Sequence, residues 1–514
     1  MGFIAMRRFI ISVLVLAALA TVAVAQDAGQ VLRVSVGYGT LKNSVTMTPE
    51  KRAEVDRLGD MAKAASAAGK YGEALKHYYH AMAIMRGTEW TAARAFSSSL
   101  ALKVDKAMLE PGQSVGVKLA QIFSPDEKLG AKPAGSIALT KLTGEERLKE
   151  LKTLDGLEPD LVAHPFATEI LVPEVEPGNY RVSLRLQVAG GDPIVKSATV
   201  HIERGLAAQV ADAKSRALKI EAMLKAKREG ELLALIPSVL YRISLFDLAG
   251  AGEINFDRID FASQLKEAHW MLNSLDAGKD PFEELRGDFK KAYLSKVDNT
   301  LQPYRVYVPS SYDGSKAYPL VIALHGMGGD ENSYFEAYNK GAFKREAEDH
   351  GYIVACPKGR KPTSMYVGDA ERDVMDVIEE MKRAYRIDAD RIYLTGHSMG
   401  GFGTWSIAMN HPDVFAALAP VAGGATNPAN MAKIAHIPQL VIHGDKDPTV
   451  PVDRSRVMVA MGKKLGVELK FIEVPGGDHG GVVAPTFKDV FGWFDAHKRK
   501  AAHAKSAGAG ANKK

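Results

Sequence analysis

One serine in the C-terminal half of the chain stands in a pattern suited to nucleophilic chemistry. The segment Gly396-His397-Ser398-Met399-Gly400 follows an apolar strand-like run, 391–395, and precedes a helix-forming run, 402–409. A serine on such a strand-to-helix turn presents its hydroxyl above the sheet. The residues two positions before and after it must be glycine, because a Cβ there would collide with neighbouring elements. The pattern predicts that Ser398 is a nucleophile; an ordinary structural turn is the alternative.

A serine hydroxyl becomes strongly nucleophilic when a histidine accepts its proton and a carboxylate orients that histidine. His479 lies in a glycine-rich loop after the strand-like run 468–474 and is the predicted base. Two carboxylates compete for the role of the acid, because the run 439–442 is followed by both Asp445 and Asp447. We favour Asp447, which directly precedes a proline that stiffens the loop, and Asp445 remains the alternative.

Acyl transfer builds negative charge on a carbonyl oxygen, and two backbone N–H groups should face that oxygen. The residue after the nucleophile, Met399, supplies one candidate N–H group. The second should come from the glycine-rich loop after the apolar run 319–324, and Met327 is our choice there. Four further histidines are assigned no catalytic role: His325, His397, His411 and His443.

Near-continuous apolar strands alternate with amphipathic helices from about residue 288. The strand-like runs are 304–309, 319–324, 391–395 and 439–442. One helix face carries apolar residues at helical spacing: Val374, Val377, Ile378, Met381 and Tyr385. Because strands buried on both faces read as apolar runs, the alternation predicts an α/β fold, with a mostly parallel sheet and helices on both faces. We expect residues 285–498 to form this catalytic domain.

Four segments of this region carry a resemblance to known families: 304–309, 325–329, 391–401 and 443–450. They resemble the secreted esterases related to feruloyl and acetylxylan esterases. They equally resemble polyhydroxybutyrate depolymerase-like proteins and the catalytic domain of prolyl oligopeptidase. The resemblance covers about residues 288–498. It implies an α/β-hydrolase fold and hydrolysis through an acyl-enzyme, without a metal or a cofactor.

The residues upstream of this domain show other patterns. Helical periodicity from about residue 48 to 86, broken at 69–72, predicts a helical hairpin in the region 26–95, with a partner-binding repeat array as the alternative. Residues 96–204 carry alternating runs separated by Pro-Gly and Gly-Gly turns, which predicts a small β-sandwich-like domain. Helical periodicity in 205–284 predicts a helical linker region. The tail, 499–514, is rich in Ala, Gly and Lys and is predicted to be disordered.

The first 25 residues predict export. Arg7 and Arg8 precede an apolar run that ends at Ala20, and Ala23-Val24-Ala25 has the form of a cleavage site. This is the three-part pattern of a secretory signal peptide, 1–25. A membrane anchor is the alternative, for which the apolar run is short. We therefore expect a secreted or periplasmic protein with no stable membrane insertion after the signal is cleaved.

Composition excludes several classes of partner. The 514 residues are 46% hydrophobic and 25% charged, which indicates a globular protein of several domains. A net charge of +5 without a dense basic stripe argues against nucleic acid as a partner. The single cysteine, Cys356, lies in an apolar run and is predicted to be a buried thiol. Asp445 and Asp447 lack the further oxygen ligands that calcium needs, so a calcium site is not predicted at this pair.

Three functions follow from these residues. The leading hypothesis is a serine hydrolase that cleaves a small-molecule or polysaccharide-linked carboxylic ester. A serine peptidase of the prolyl oligopeptidase type is disfavoured because no β-propeller repeat is visible upstream. A non-catalytic carbohydrate-binding or scaffold protein on a hydrolase fold is disfavoured by the intact Ser398, Asp447 and His479. The acyl and alcohol groups and the oligomeric state stay open. We also expect a fragment of residues 275–498 to fold and to retain activity.

Overall fold

The structure is a computed structural model, and it describes residues 28–143, 146–189, 191–251, 254 and 259–499. The predicted signal peptide, 1–25, and residues 500–514 of the predicted tail lie outside the described residues. The contacts along the chain define two compact units. The first contains the chain up to Ala211 together with Ser244–Gln264, and the second contains Asp212–Ile243 and the chain from Leu265 onwards.

The first unit begins with helices that enclose a small apolar core. These helices are α1 (Ala28–Ser44), α2 (Pro49–Ala67), α3 (Tyr71–Met85) and α4 (Ala92–Ser99). Helices α2 and α3 form the predicted hairpin, and they bury Leu58 and Leu75 in one cluster. Helix α1 was not assigned from the sequence. Its Tyr38 joins the same cluster, and the Tyr38 hydroxyl donates a hydrogen bond to the carbonyl of Val55 at 3.0 Å.

The rest of the first unit is mostly a β-sandwich. Its strands are β1 (Leu100–Val104), β2 (Met108–Leu109), β3 (Ser114–Gln121), β4 (Ala134–Lys141), β5 (Arg147–Leu154), β6 (Phe166–Leu171), β7 (Gly178–Gln187) and β8 (Ile194–Ile202). One sheet has the order β1-β3-β6 and the other has the order β2-β8-β7-β4-β5. Alternate side chains from both sheets, such as Val117 and Leu184, are buried in one shared core.

Four helices follow the sandwich in the chain. They are α5 (Leu206–Lys227), α6 (Gly230–Leu233), α7 (Ile236–Gly250) and α8 (Phe261–Asp276). The stretch Gly230–Gly250 is long and apolar enough to cross a membrane by length and composition, but half of it is buried inside the folded chain. Arg242 is 2% exposed in this stretch and donates hydrogen bonds to Glu267 and to the carbonyl of Lys290. This burial is typical of a core helix.

The second unit is built on an eight-stranded sheet. Its strands are β9 (Gly287–Leu294), β10 (Leu301–Val308), β11 (Tyr318–Leu324), β12 (Ile353–Pro357), β13 (Ile387–His397), β14 (Ala417–Val421), β15 (Gln439–Gly444) and β16 (Leu469–Val474). Its helices after β9 are α9 (Ser333–Glu336), α10 (Ala342–His350), α11 (Asp369–Ala384), α12 (Met399–Asn410), α13 (Asp453–Lys464) and α14 (Phe487–Ala496), with 3-10 helices at Pro428–Ile434 and Ala484–Thr486.

The strand order in this sheet is β16-β15-β14-β13-β11-β12-β10-β9. The six strands from β16 to β12 are parallel, whereas β10 and β9 continue the sheet by antiparallel pairing. Ile322 of β11 lies in one core cluster with Val377 of α11, and Val321 lies in the opposite cluster with Phe343 of α10 and Phe491 of α14. Helices therefore cover both faces, which is the predicted α/β-hydrolase arrangement. The carboxyl ends of the six parallel strands meet at one edge, where such folds hold their sites.

Candidate active site

The predicted nucleophile lies on a sharp turn between β13 and α12. Ser398 has φ 58° and ψ −115°, a left-handed conformation that a non-glycine residue adopts only when its surroundings enforce it. Its N–H donates to the carbonyl of Val421 at 2.9 Å. A Cβ on Gly396 would lie 2.4 Å from the carbonyl oxygen of Gly400, and one on Gly400 would lie 2.0 Å from that of Leu324. The turn therefore excludes side chains at both glycines.

The structure brings the three predicted residues together at the carboxyl edge of the sheet. The Oγ atom of Ser398 lies 2.9 Å from Nε2 of His479. On the other side of the same imidazole, Nδ1 lies 2.6 Å from Oδ2 of Asp447. Loops after β13, β15 and β16 supply these side chains, and 81 residues separate the serine from the histidine. The order of contacts is that of a nucleophile, a base and an acid.

Asp447 is held as a carboxylate. Burial raises the pKa of Asp447, but hydrogen bonds from His443 and His479, together with the charge interaction with His479, lower it below its ordinary value. Its Oδ1 atom also accepts from the N–H groups of Thr449 at 2.8 Å and Val450 at 2.9 Å. An acceptor this well satisfied keeps its negative charge next to the imidazole and fixes the orientation of the ring.

Asp445, the alternative acid, has a different contact. Its Oδ1 atom accepts a hydrogen bond from the N–H of Gly476 at 2.7 Å, which ties the loop after β15 to the loop after β16. Asp447 is therefore the carboxylate that lies on His479, and Asp445 shapes the loop that carries this histidine.

Sequence reasoning missed the role of His443, which lies behind the acid. Its side chain is fully buried, and Nε2 lies 3.2 Å from Oδ2 of Asp447 and 2.9 Å from the carbonyl of Val450. Nδ1 lies 2.7 Å from the hydroxyl of Ser455 on α13. A histidine four residues before the predicted acid was the available sequence signal, but the strand pattern alone did not show where its ring points.

The two predicted oxyanion donors flank the nucleophile turn. Met399 is the first residue of α12, and Met327 lies in the loop after β11. A Cβ on the preceding residue, Gly326, would lie 3.6 Å from the Cβ of Ser398, so this loop passes directly against the serine. Ser398 is only 9% exposed in this arrangement.

A second loop supports the one that carries Met327. The N–H of Gly328 donates to the carbonyl of Pro362 at 2.8 Å. Nε2 of His325 lies 2.8 Å from the carbonyl of Lys358, at the start of the same supporting loop. The N–H of Met365 also approaches the sulfur of Met399 at 3.3 Å. His325 thus joins two loops, a role that its place at the start of a glycine-rich run did not reveal.

The residues that the structure describes contain no cluster of three or more His, Cys, Asp or Glu side chains able to hold a metal ion. Cys356 is buried in β12, and burial raises the pKa of its thiol well above the ordinary value. A buried, protonated thiol is a poor nucleophile.

Comparisons with known proteins match the region of this site. A model of the Prolyl oligopeptidase family matches residues 366–437. The bifunctional acetylxylan esterase/xylanase XynS20E of Neocallimastix patriciarum is 32% identical over 145 residues, which is 28% of this chain and 21% of that protein. The probable dipeptidyl-peptidase 5 of Aspergillus niger is 26% identical over 282 residues, 44% of this chain and 38% of that protein.

A solved structure of a CE1 ferulic acid esterase from Anaeromyces mucronatus, in complex with ferulic acid, aligns at 20% identity and a TM-score of 0.36 and covers 42% of this chain and 94% of that one. The chain spans about a fifth and two fifths of the lengths of the two curated relatives. The sheet topology and the sequence matches define the region from β9 to α14 as an α/β-hydrolase domain similar to those of serine esterases and peptidases. The family match ends before Asp447 and His479.

Proposed function

We propose that this protein is a secreted serine hydrolase that cleaves carboxylic esters through an acyl-enzyme intermediate. The observation that carries the proposal is the pair of hydrogen bonds on His479, at 2.9 Å to Ser398 and 2.6 Å to Asp447. The resemblance to an acetylxylan esterase supports an ester that is small or linked to a polysaccharide. No metal or cofactor takes part in the proposed reaction.

In the proposed reaction, Ser398 Oγ attacks the ester carbonyl while Nε2 of His479 accepts the hydroxyl proton. The N–H groups of Met327 and Met399 stabilise the oxyanion of the tetrahedral intermediate. When the C–O bond to the alcohol breaks, His479 returns the proton to the departing oxygen and the acyl-enzyme remains. Water then attacks the acyl group with the same histidine as base, which releases the carboxylic acid and restores the serine. Asp447 stabilises the imidazolium in both steps.

A fluorophosphonate probe tests the nucleophile directly, because it phosphonylates only an activated serine. We expect labelling of the full-length protein, loss of labelling in Ser398→Ala, and a loss of ester turnover of several orders of magnitude in that variant. Alanine differs from serine by the loss of one oxygen atom, so circular dichroism of Ser398→Ala should match that of the unsubstituted protein. Retention of more than about a tenth of the activity would remove Ser398 from this role.

A serine peptidase is the second candidate, and the similarity to the prolyl oligopeptidase family and to a dipeptidyl peptidase favours it. A panel of p-nitrophenyl esters, methyl ferulate and prolyl anilides separates the two activities. Ester turnover without anilide turnover supports the esterase, and the reverse supports the peptidase. A protein that neither labels nor turns over any member of the panel would be the non-catalytic binding protein.

Export belongs to the same proposal and rests on the signal-peptide pattern of residues 1–25. Expression in a bacterium with a periplasm, followed by mass spectrometry of the mature protein, tests it. We expect the mature chain to begin at Gln26, and a cytoplasmic protein that retains its first 25 residues would contradict export.

A further inference from the structure

The residue before the nucleophile has a buried side chain that contacts the base. His397 is 7% exposed, and its Nε2 lies 2.8 Å from the backbone carbonyl of His479. The two imidazole rings are 4.7 Å apart between centroids. Among the residues that the structure describes, His397 is the hydrogen-bond donor to the carbonyl of His479. His397 therefore contacts the backbone of the segment that carries the base.

The partners of His397 determine its tautomer. A carbonyl oxygen only accepts hydrogen bonds, so Nε2 of His397 carries the hydrogen that points to His479. Nδ1 then has the lone pair, and the hydroxyl of Tyr338, 2.9 Å away, donates to it. Burial, with a smaller contribution from the nearby His479, lowers the pKa of His397 to about 3. The ring therefore stays neutral in this arrangement. Burial also raises the pKa of Tyr338, which keeps its hydroxyl a donor.

The segment around His479 needs such support. It is a turn between β16 and α14 that contains Gly476, Gly477, Gly480 and Gly481. Glycines loosen the backbone because they lack a Cβ. The base must nevertheless stay within hydrogen-bond distance of Ser398, and a displacement of about 1 Å is enough to cost on the order of 10²-fold in rate.

We infer that His397 is a positioning residue for the proposed hydrolysis: its Nε2–H holds the backbone of His479, and the Tyr338 hydroxyl holds the tautomer that makes this possible. His397 thereby couples the nucleophile turn to the loop of the base, and it exchanges no proton in the proposed reaction. The inference rests on the proposed function and extends it to two residues that the pattern around Ser398 leaves without a role.

The test compares His397→Leu, which removes the donor, with His397→Gln, whose amide N–H reaches the same carbonyl. We expect kcat for a p-nitrophenyl ester to fall on the order of 10²-fold in His397→Leu, with KM within about threefold. His397→Gln should recover at least about a third of the kcat of the unsubstituted protein. Tyr338→Phe should lower kcat by about three- to tenfold, because the tautomer is no longer held. The rate of fluorophosphonate labelling should follow kcat in every variant.

His411→Leu is the matched control, because His411 lies just beyond the other end of α12 and bonds Glu371 at 2.9 Å, away from the site. This control should keep kcat within about twofold.

Equal kcat in His397→Leu and the unsubstituted protein would overturn the inference, as would equal losses in His397→Leu and His411→Leu. A loss in His397→Gln as large as that in His397→Leu would also overturn it. If His397→Leu fails to fold, His397→Gln and Tyr338→Phe are compared instead. The inference is supported if His397→Gln retains activity and Tyr338→Phe lowers kcat without changing KM. Any other result with these two variants overturns it. Absence of activity and labelling in the unsubstituted protein would instead refute the proposed function.

Discussion

His443 and Asp447 lie side by side, with Nε2 of the histidine 3.2 Å from Oδ2 of the carboxylate. The same oxygen lies 2.6 Å from Nδ1 of His479, so two imidazoles meet on one carboxylate oxygen. A carboxylate bound by several donors is held in one orientation, and its pKa is lowered in the folded chain. The acid of the proposed triad therefore has a structural partner of its own.

Removal of that partner should reduce activity moderately. In His443→Phe, Asp447 loses one donor but keeps the N–H groups of Thr449 and Val450. One hydrogen bond to a charged group contributes about 1.5 kcal/mol, so we expect kcat for a p-nitrophenyl ester to fall by about tenfold. His436→Phe, at an exposed histidine whose Nε2 lies 3.1 Å from the carbonyl of Pro412, serves as the control and should stay within about twofold. A loss of about 10⁴-fold in His443→Phe would show instead that His443 takes part in the chemistry.

The two aspartates of the loop after β15 should differ sharply. Asp447→Asn should lower kcat on the order of 10⁴-fold, because the amide favours the wrong tautomer of His479. Asp445→Asn should lower it by less than about tenfold, since the amide oxygen still accepts from the N–H of Gly476. Steady-state kinetics of the two variants side by side provide the measurement. A larger loss of kcat in Asp445→Asn than in Asp447→Asn would transfer the role of the acid to Asp445.

A buried lysine in β9 should destabilise the second unit at neutral pH. Lys291 is 2% exposed, its ammonium lies 4.6 Å from the ring centre of Phe282, and burial lowers its pKa to about 8. The unfolded chain, with a lysine pKa of about 10.4, binds more protons than the folded chain between these values, so this group makes stability rise with pH from about 8 to 10.4. Below pH 8 the resulting cost is constant, on the order of 3 kcal/mol.

Lys291→Met tests this cost. Removal of the charge should stabilise the unit at pH 7 by about 1–2 kcal/mol, after allowance for the lost contact of the ammonium with the aromatic rings. The gain should shrink and then vanish as the pH approaches 10.4. Urea unfolding at several pH values measures it, with Lys279→Met at an exposed position as the control. A variant that is destabilised at pH 7 would refute the prediction.

The fragment of residues 275–498, expected from the sequence to fold alone, should instead aggregate. Strand β9 is the edge of the sheet, and residues upstream of the fragment cover it. Ser238 Oγ accepts from the N–H of Ala292 at 2.9 Å and lies 3.1 Å from its carbonyl, while Arg242 donates to the carbonyl of Lys290. Without them an edge strand and its apolar surroundings are exposed.

Size-exclusion chromatography of this fragment and of residues 205–498 provides the measurement. We expect the shorter fragment to elute as aggregate and the longer one to retain a larger monomeric fraction. A monomeric, active fragment of residues 275–498 would show that the helices are dispensable.

The sequence by itself determined the features that depend on neighbouring residues. The glycines around Ser398, the apolar runs and the amphipathic α11 are local patterns, and each of them follows from sterics or periodicity within about 15 residues. They were sufficient to predict the mostly parallel sheet, the nucleophile turn and the two loops in which a base and an acid should lie.

Only the tertiary structure decided which side chains meet. Asp445 and Asp447 are two residues apart, and the path of the loop after β15 puts one on His479 and the other on Gly476. His397 contacts a carbonyl 82 residues away. The helix that carries Ser238 looked like a linker, because helical periodicity shows an apolar face but not the strand edge against which that face packs. Such contacts depend on the packing of distant segments, which no local pattern encodes.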